Sequence, residues 1–236
     1  DPKMNRDMRQ LAILLMIASS VVISFSGLVV RLLDAGPLVM NFYRALFLMG
    51  AIVVLLVLRY RAAAIVRVIG VGWPGLMAGA MLAGAGITFL QSMTHTTVAN
   101  TLFVLGGIPF VTSGLAWIFL KEKPSRPTLV TMIIAFFGIV IMIGEGFTIG
   151  SAYGNLMALM TTFFFSIYAV IVRFNRQVDM LPAILISTVL IMAMTGLTQR
   201  GVLPISKDDL WLCLLWGGVM SGFTSASFIV AWRHII

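Results

Sequence analysis

QSMTHTTVANTLFVLGGIPFVTSGLAWIFLKEKPSRPTLVTMIIAFFGIVIMIG, residues Gln91 to Gly144, decides the fold. It reads as a tight polar turn, a long apolar helix interrupted by Pro109, a short basic loop from Lys121 to Arg126, and a second apolar helix. Each helix is apolar all round and has no polar face to turn to water, so the pair forms a hairpin across a bilayer.

The whole chain has the same character. Of its 236 residues 60% are hydrophobic and only 10% charged, with a mean hydropathy of +1.06, which excludes a soluble domain and indicates an all-α polytopic membrane protein. A span needs about 20 predominantly apolar residues. On that basis about eight spans are expected, at 11-33, 37-58, 68-92, 97-120, 127-146, 154-172, 182-198 and 210-232. The connections are short, and no segment has the composition of a soluble domain. Asp1-Pro2-Lys3 precedes Met4 and reads as an expression leader, and the first apolar run is too long for a signal-peptide core.

The net charge of +8 is a topology signal, not a nucleic-acid footprint. With the N-terminus inside, twelve of the sixteen Lys and Arg residues fall on inner segments, and only Arg31, Arg200 and Lys207 on outer ones; Arg44 lies within a span. That asymmetry predicts a cytoplasmic N-terminus.

The chain also repeats itself. VVRLLDAGP, with Arg31 and Pro37, returns as VIVRFNRQVDMLP, with Arg173 and Pro182; Gly79-x-x-x-Ala83 returns as Gly218-x-x-x-Gly222, and His95 as His234. The displacement is 139 to 145 residues throughout. A five-helix unit, 1-146, therefore recurs as an incomplete unit, 147-236, and an odd number of spans inverts the second copy. Inverted repeats are the architecture of many secondary transporters. The small-residue pairs also have a simpler reading, as close helix contacts.

These residues bring a family into view. TVANTLFVLGGIPFVTSGLAWIFLKEKPSRPTL followed by FFGIVIMIG resembles the EamA-like branch of the drug/metabolite transporter superfamily, with Pro109, Glu122 and Gly138 in the places of that family's proline, glutamate and glycine. Arg44 in NFYRALFLMGA fits the arginine common in the family's second helix. The resemblance implies ten helices in two inverted five-helix repeats, and export of amino acids or related metabolites across the bacterial inner membrane by alternating access. The sequence stops at Trp232-Arg233-His234-Ile235-Ile236 without a second copy of the opening hairpin, so a further stretch of roughly 50 to 60 residues is expected.

Arg44 is the sharpest single signal. It lies about 10 Å beyond Pro37 at the helical rise, deep enough to need a cavity, a partner or a carbonyl cluster. One reading makes it a lock between helices. The other makes it the counter-charge for a substrate carboxylate, which guanidinium binds bidentately. Gln91 and His95 share a face four residues apart, near the depth of Asn41 and Arg44. His95 either caps the Thr94 to Thr97 turn or binds substrate or a proton. Asn100, Ser166, Tyr168 and Trp216 complete the candidate substrate-binding set, with backbone hydrogen bonding as the other reading of the serine and asparagine. Trp73, Trp117, Trp211 and Trp232 sit near span ends, as interfacial anchors do. Pro109, with Gly106 and Gly107, forms a candidate hinge.

Catalytic residues, metal ligands and cofactors are not expected. Cys213 is the only cysteine, and there is no Walker A sequence. Ser221 and His234 lie about 20 Å apart if on one helix, which argues against an intramembrane enzyme; a channel or assembly subunit is the other alternative. The expected partners are a small-molecule substrate and the lipid bilayer. The sequence carries no signal of oligomeric state, and a monomer satisfies it.

Overall fold

The computed structural model describes residues 2–121, 126–145, 149–175, 181–201 and 203–234, and gives backbone alone at 2–9, 62, 135, 136, 139, 140, 142–145, 149–151 and 228–234. Glu122, Lys123 and Arg176 lie outside the described residues. The described residues are all-helical: α1 (Pro2–Ser24), α2 (Ser26–Leu32), α3 (Pro37–Tyr60), α4 (Ala64–Gly70), α5 (Gly72–His95), α6 (Val98–Leu105), α7 (Ile108–Leu120), α8 (Arg126–Glu145), α9 (Ile149–Phe174), α10 (Leu181–Thr198), α11 (Lys207–Cys213) and α12 (Ser221–His234). A π-helical segment, Leu214–Met220, joins the last two.

Seven stretches among the described residues are long and apolar enough to cross a bilayer: Gln10–Leu32, Pro37–Tyr60, Gly72–His95, Val98–Leu120, Ala152–Phe174, Leu181–Thr198 and Lys207–Ser227. The fifth expected span, 127-146, coincides with α8, which is helical but is not among the seven. Surface and interior are distributed as a lipid solvent requires. Leu58, Ile69, Ile118 and Leu197 are each at least 70% exposed, whereas Ser92, Thr101, Ser166 and Thr188 are fully buried. Helices in lipid gain nothing hydrophobic from meeting one another, so small and hydroxyl side chains collect at their contacts.

The chain packs as two compact units, one of residues 1–68 with 192–236 and the other of residues 69–191. In the second, α5 lies along α9 through a stripe of hydroxyls spaced four apart. The Thr88 and Thr161 hydroxyls are 2.8 Å apart, Ser92 and Thr101 on α6 are 2.8 Å apart, and Thr96 donates to Asn155 Oδ1 at 3.2 Å. Glycines allow the approach. A β-carbon on Gly154 would come within 2.7 Å of the His95 carbonyl carbon, and one on Gly84 within 3.1 Å of the Phe164 ring; on the α10 side, one on Gly79 would come within 2.6 Å of Ile186. The Gly79-x-x-x-Ala83 pair thus marks a close helix contact.

The fourth expected span is broken. Pro109 was expected to bend a continuous helix, but the interruption falls at Gly106 and Gly107, between α6 and α7, and Pro109 sits in the first turn of α7. A missing N–H has no consequence there, because first-turn amides lack intrahelical acceptors anyway. Carbonyls beside the break are reached from α9: the Thr162 hydroxyl lies 3.2 Å from Val104 O, its one proton shared with Ala158 O on its own helix at 3.0 Å, and Ser166 donates to Ile108 O at 3.3 Å. Irregular backbone at membrane depth survives only where protein supplies such partners. Thr162→Val, isosteric but without the donor, is expected to destabilise the protein by about 1–2 kcal/mol. Thermal unfolding in detergent checks this; an unchanged midpoint would show that the break does not depend on α9.

In the first unit, α1 packs on α12 and α3 packs on the π segment. A β-carbon on Gly217 would lie 2.2 Å from the Arg44 carbonyl oxygen, and one on Gly222 3.0 Å from the Ala51 β-carbon. Of the Gly218-x-x-x-Gly222 pair only Gly222 makes a tight contact. Gly217 makes the closest approach.

Candidate functional site

Seven residues into α3, Arg44 is half-buried and its side chain has few partners. Nη2 donates to Asn41 Oδ1 at 3.3 Å, one turn back, and Asn41 is itself 1% exposed. The guanidinium carbon stands 5.1 Å from the centroid of the Trp216 ring, and Trp216 is 2% exposed. Arg44 Nε is buried without a hydrogen-bond partner. Among the described residues Arg44 forms no ion pair.

An indole face attracts a cation but does not neutralise it. A guanidinium carries five N–H donors in a fixed fork, and the Nε and Nη2 hydrogens along one side match the two oxygens of a carboxylate. Here Nη2 is lightly engaged and Nε is unpartnered. The arrangement leaves a partly desolvated cation with its carboxylate-binding edge unsatisfied.

Three features fix it in place. The π segment sets Trp216 where a regular helix would place a different residue; Ser221 Oγ donates to Trp216 O at 2.8 Å, five residues back. Gly217 lets the π segment approach the α3 backbone at Arg44. Cys213, fully buried, lies with its Sγ 4.0 Å from Met40 O. Further out, Ser206 Oγ caps α11 by accepting from the Asp209 N–H at 3.0 Å, Asp209 Oδ1 accepts from the Asp34 N–H at 3.2 Å, and Tyr43 Oη donates to Leu203 O at 3.0 Å. The bond from Ser221 to Trp216 O also occupies the hydroxyl of the residue weighed as an intramembrane nucleophile.

The structure therefore brings Asn41, Arg44 and Trp216 together in the first unit. Gln91, His95, Asn100, Ser166 and Tyr168 belong to the second. There, His95 Nδ1 is 2.8 Å from Gln91 O and 3.0 Å from Thr94 Oγ1, and its ring meets Tyr153 edge-on at 4.9 Å. Asn100 closes the same turn: its N–H donates to the Thr97 cap at 3.1 Å and its Nδ2 to Thr96 Oγ1 at 3.4 Å. Ser166 is on the Ile108 carbonyl. Tyr168 packs on the core of Val71, Ala78 and Ala183.

Sequence reasoning missed Gly217 and the π segment, for which the Gly217-Gly218 pair ahead of Ser221 was the available signal. It also missed the α5 stripe, which the four-residue spacing of Thr88, Ser92 and Thr96 could have revealed.

Residues 10–144 match the model of the EamA-like transporter family, more than half of the chain. The chain belongs to that family. An EamA-like protein is a multi-pass membrane transporter of small molecules, and the matched region contains both Arg44 and the hairpin from Gln91 to Gly144. No curated protein matches this EamA-like chain. A protein of known crystal structure superposes with a TM-score of 0.67 at 16% identity, covering 96% of this chain and 80% of that one. At that identity the likeness concerns the fold alone.

Proposed function

We propose that this EamA-like transporter is a secondary transporter that exports amino acids and related metabolites across the bacterial inner membrane by alternating access, with its N-terminus in the cytoplasm. The observation that carries the reading is Arg44: a cation inside a span, with Nε buried and unpartnered and no carboxylate among the described residues beside it. A charge in that position is retained at an energetic cost. A substrate carboxylate offsets that cost when it binds, and Asn41 and Trp216 hold the guanidinium for it.

Within the second unit taken by itself, Gln91 and His95 are proposed as polar contacts for substrate. The bonds of Asn100 and Ser166 and the packing of Tyr168 favour a supporting role for those three. Gly106, Gly107 and Pro109 are proposed as the bending point of the gating motion, where α6 and α7 already meet without a continuous helix. The charge asymmetry of the loops supports the orientation. The small-residue and arginine repeats displaced by 139 to 145 residues support inverted halves.

Purified protein in liposomes preloaded with unlabelled amino acids is expected to give transient, saturable counterflow of the labelled compound. Uptake no greater than that of protein-free vesicles, across a broad amino-acid panel, would reject amino acids as the substrate class.

A further inference from the structure

We propose that the turn joining α3 to α4 holds the headgroup of an anionic phospholipid, with its phosphate on Arg59 and Arg67 and its acyl chains along Leu58, Ile65 and Val66. The site lies in the first unit and is independent of the substrate that Arg44 receives.

The stretch LRYRAAAIVR, Leu58 to Arg67, carries three arginines: Arg59, Arg61 and Arg67. It begins at the end of a stretch long and apolar enough to cross a bilayer, Pro37–Tyr60, so the chain turns where hydrocarbon gives way to headgroups. Arg61 closes α3 at φ +50°, a conformation that residues other than glycine rarely take, and its N–H still donates to Val57 O. A single 3₁₀ turn, Arg61–Ala63, then leads into α4. The turn brings two cations to one ring. The guanidinium carbon of Arg59 stands 5.2 Å from the centroid of the Tyr60 ring, and that of Arg67 stands 5.6 Å from the same centroid.

An aromatic ring attracts each cation, but two guanidiniums at one ring repel each other. An anion that both can reach offsets the repulsion. A guanidinium meets a ring with its flat face and binds phosphate oxygens along its edge, so the ring contact and the phosphate contact are compatible.

The apolar neighbours say which anion. Leu58, Ile65 and Val66 are 73%, 72% and 70% exposed, and α4 buries none of its residues. At a membrane surface such side chains enter the acyl region while arginine stems lie along it and their heads reach the phosphates. A soluble phosphate matches the arginines alone; a phospholipid matches both features. A zwitterionic headgroup brings a cation of its own to a cluster of arginines, whereas phosphatidylglycerol brings none.

Native mass spectrometry of the purified protein, titrated with phosphatidylglycerol or phosphatidylcholine of identical acyl chains, tests this. Each basic residue at an anionic lipid surface corresponds to roughly fivefold in affinity, so phosphatidylglycerol is expected to bind at least about tenfold more tightly than phosphatidylcholine. Arg59→Gln combined with Arg67→Gln is expected to weaken phosphatidylglycerol about 30-fold and leave phosphatidylcholine unchanged. Arg67→Gln alone, on the exposed α4, is expected to weaken it about fivefold and keeps the comparison if the pair fails to fold. Arg200→Gln combined with Lys207→Gln removes two exposed charges elsewhere and should leave both lipids unchanged.

Equal affinity for the two lipids, phosphatidylglycerol binding unaffected by loss of Arg59 and Arg67, or the same loss in the Arg200 and Lys207 pair would overturn the proposal. So would displacement of phosphatidylglycerol by glycerophosphoglycerol, the headgroup without chains, at concentrations as low as those at which the lipid binds.

Discussion

Arg44→Ala is expected to lower amino-acid counterflow about 100-fold while shifting the thermal unfolding midpoint in detergent by no more than about 3 °C. The two halves of that expectation have separate causes. Hydrogen bonds to charged groups contribute about 1.5–3 kcal/mol each, and a bidentate pair lost with the guanidinium corresponds to at least two orders of magnitude in affinity. The folded protein has far less invested in the same group. Arg44 makes one long hydrogen bond to Asn41 and one ring contact with Trp216, and no described carboxylate depends on it. Removing a buried charge that has no partner is near neutral for stability, because the desolvation penalty goes with it. A lock between helices would behave in the opposite way. Expression, midpoint and transport would then fall together.

Gly217→Ala is expected to destabilise the first unit by roughly 1–3 kcal/mol or prevent its assembly, whereas Gly218→Ala next to it is expected to be tolerated. The difference is one of geometry. A methyl at 217 would lie 2.2 Å from the backbone oxygen of Arg44, and backbone held in two helices cannot step aside without separating α3 from the π segment. A methyl at 218 meets nothing closer than the end of the Leu214 side chain, at 3.5 Å, an ordinary van der Waals distance. Because Arg44 and Trp216 face each other across this same contact, a surviving Gly217→Ala protein should also lose transport. Thermal unfolding of the two variants, followed by counterflow on whichever folds, separates the effects. Equal behaviour of the two would show that the close approach at Gly217 is not needed.

How much of this the sequence made legible depends on the kind of signal. Seven spans match apolar stretches seen directly in composition, since length and hydropathy are properties of each segment alone. Arg44 stood out because charge inside such a segment is rare. Its two neighbours were in the candidate set, yet what unites them was not visible. Trp216 comes from a helix more than 170 positions away, and only the π segment brings its ring over the guanidinium.

The sequence placed Gly106 and Gly107 in the candidate hinge but set the interruption at Pro109, which is harmless once it stands in the first turn of a new helix. Ser166 and Asn100 were ambiguous for a similar reason: a hydroxyl or amide that meets substrate and one that meets a neighbouring carbonyl look the same in sequence. Only the partner distinguishes them, the Ile108 carbonyl on another helix for Ser166 and the Thr96 hydroxyl of its own turn for Asn100.

Binding in detergent tests the central claim most directly, because it separates recognition by Arg44 from every later step of transport. Equilibrium binding of the labelled amino acid that gives the strongest counterflow should be saturable for the purified wild-type protein. It should be weakened about 100-fold in Arg44→Ala at an unchanged unfolding midpoint. Equal affinity in the two proteins would contradict the assignment of Arg44 as the group that receives the substrate carboxylate.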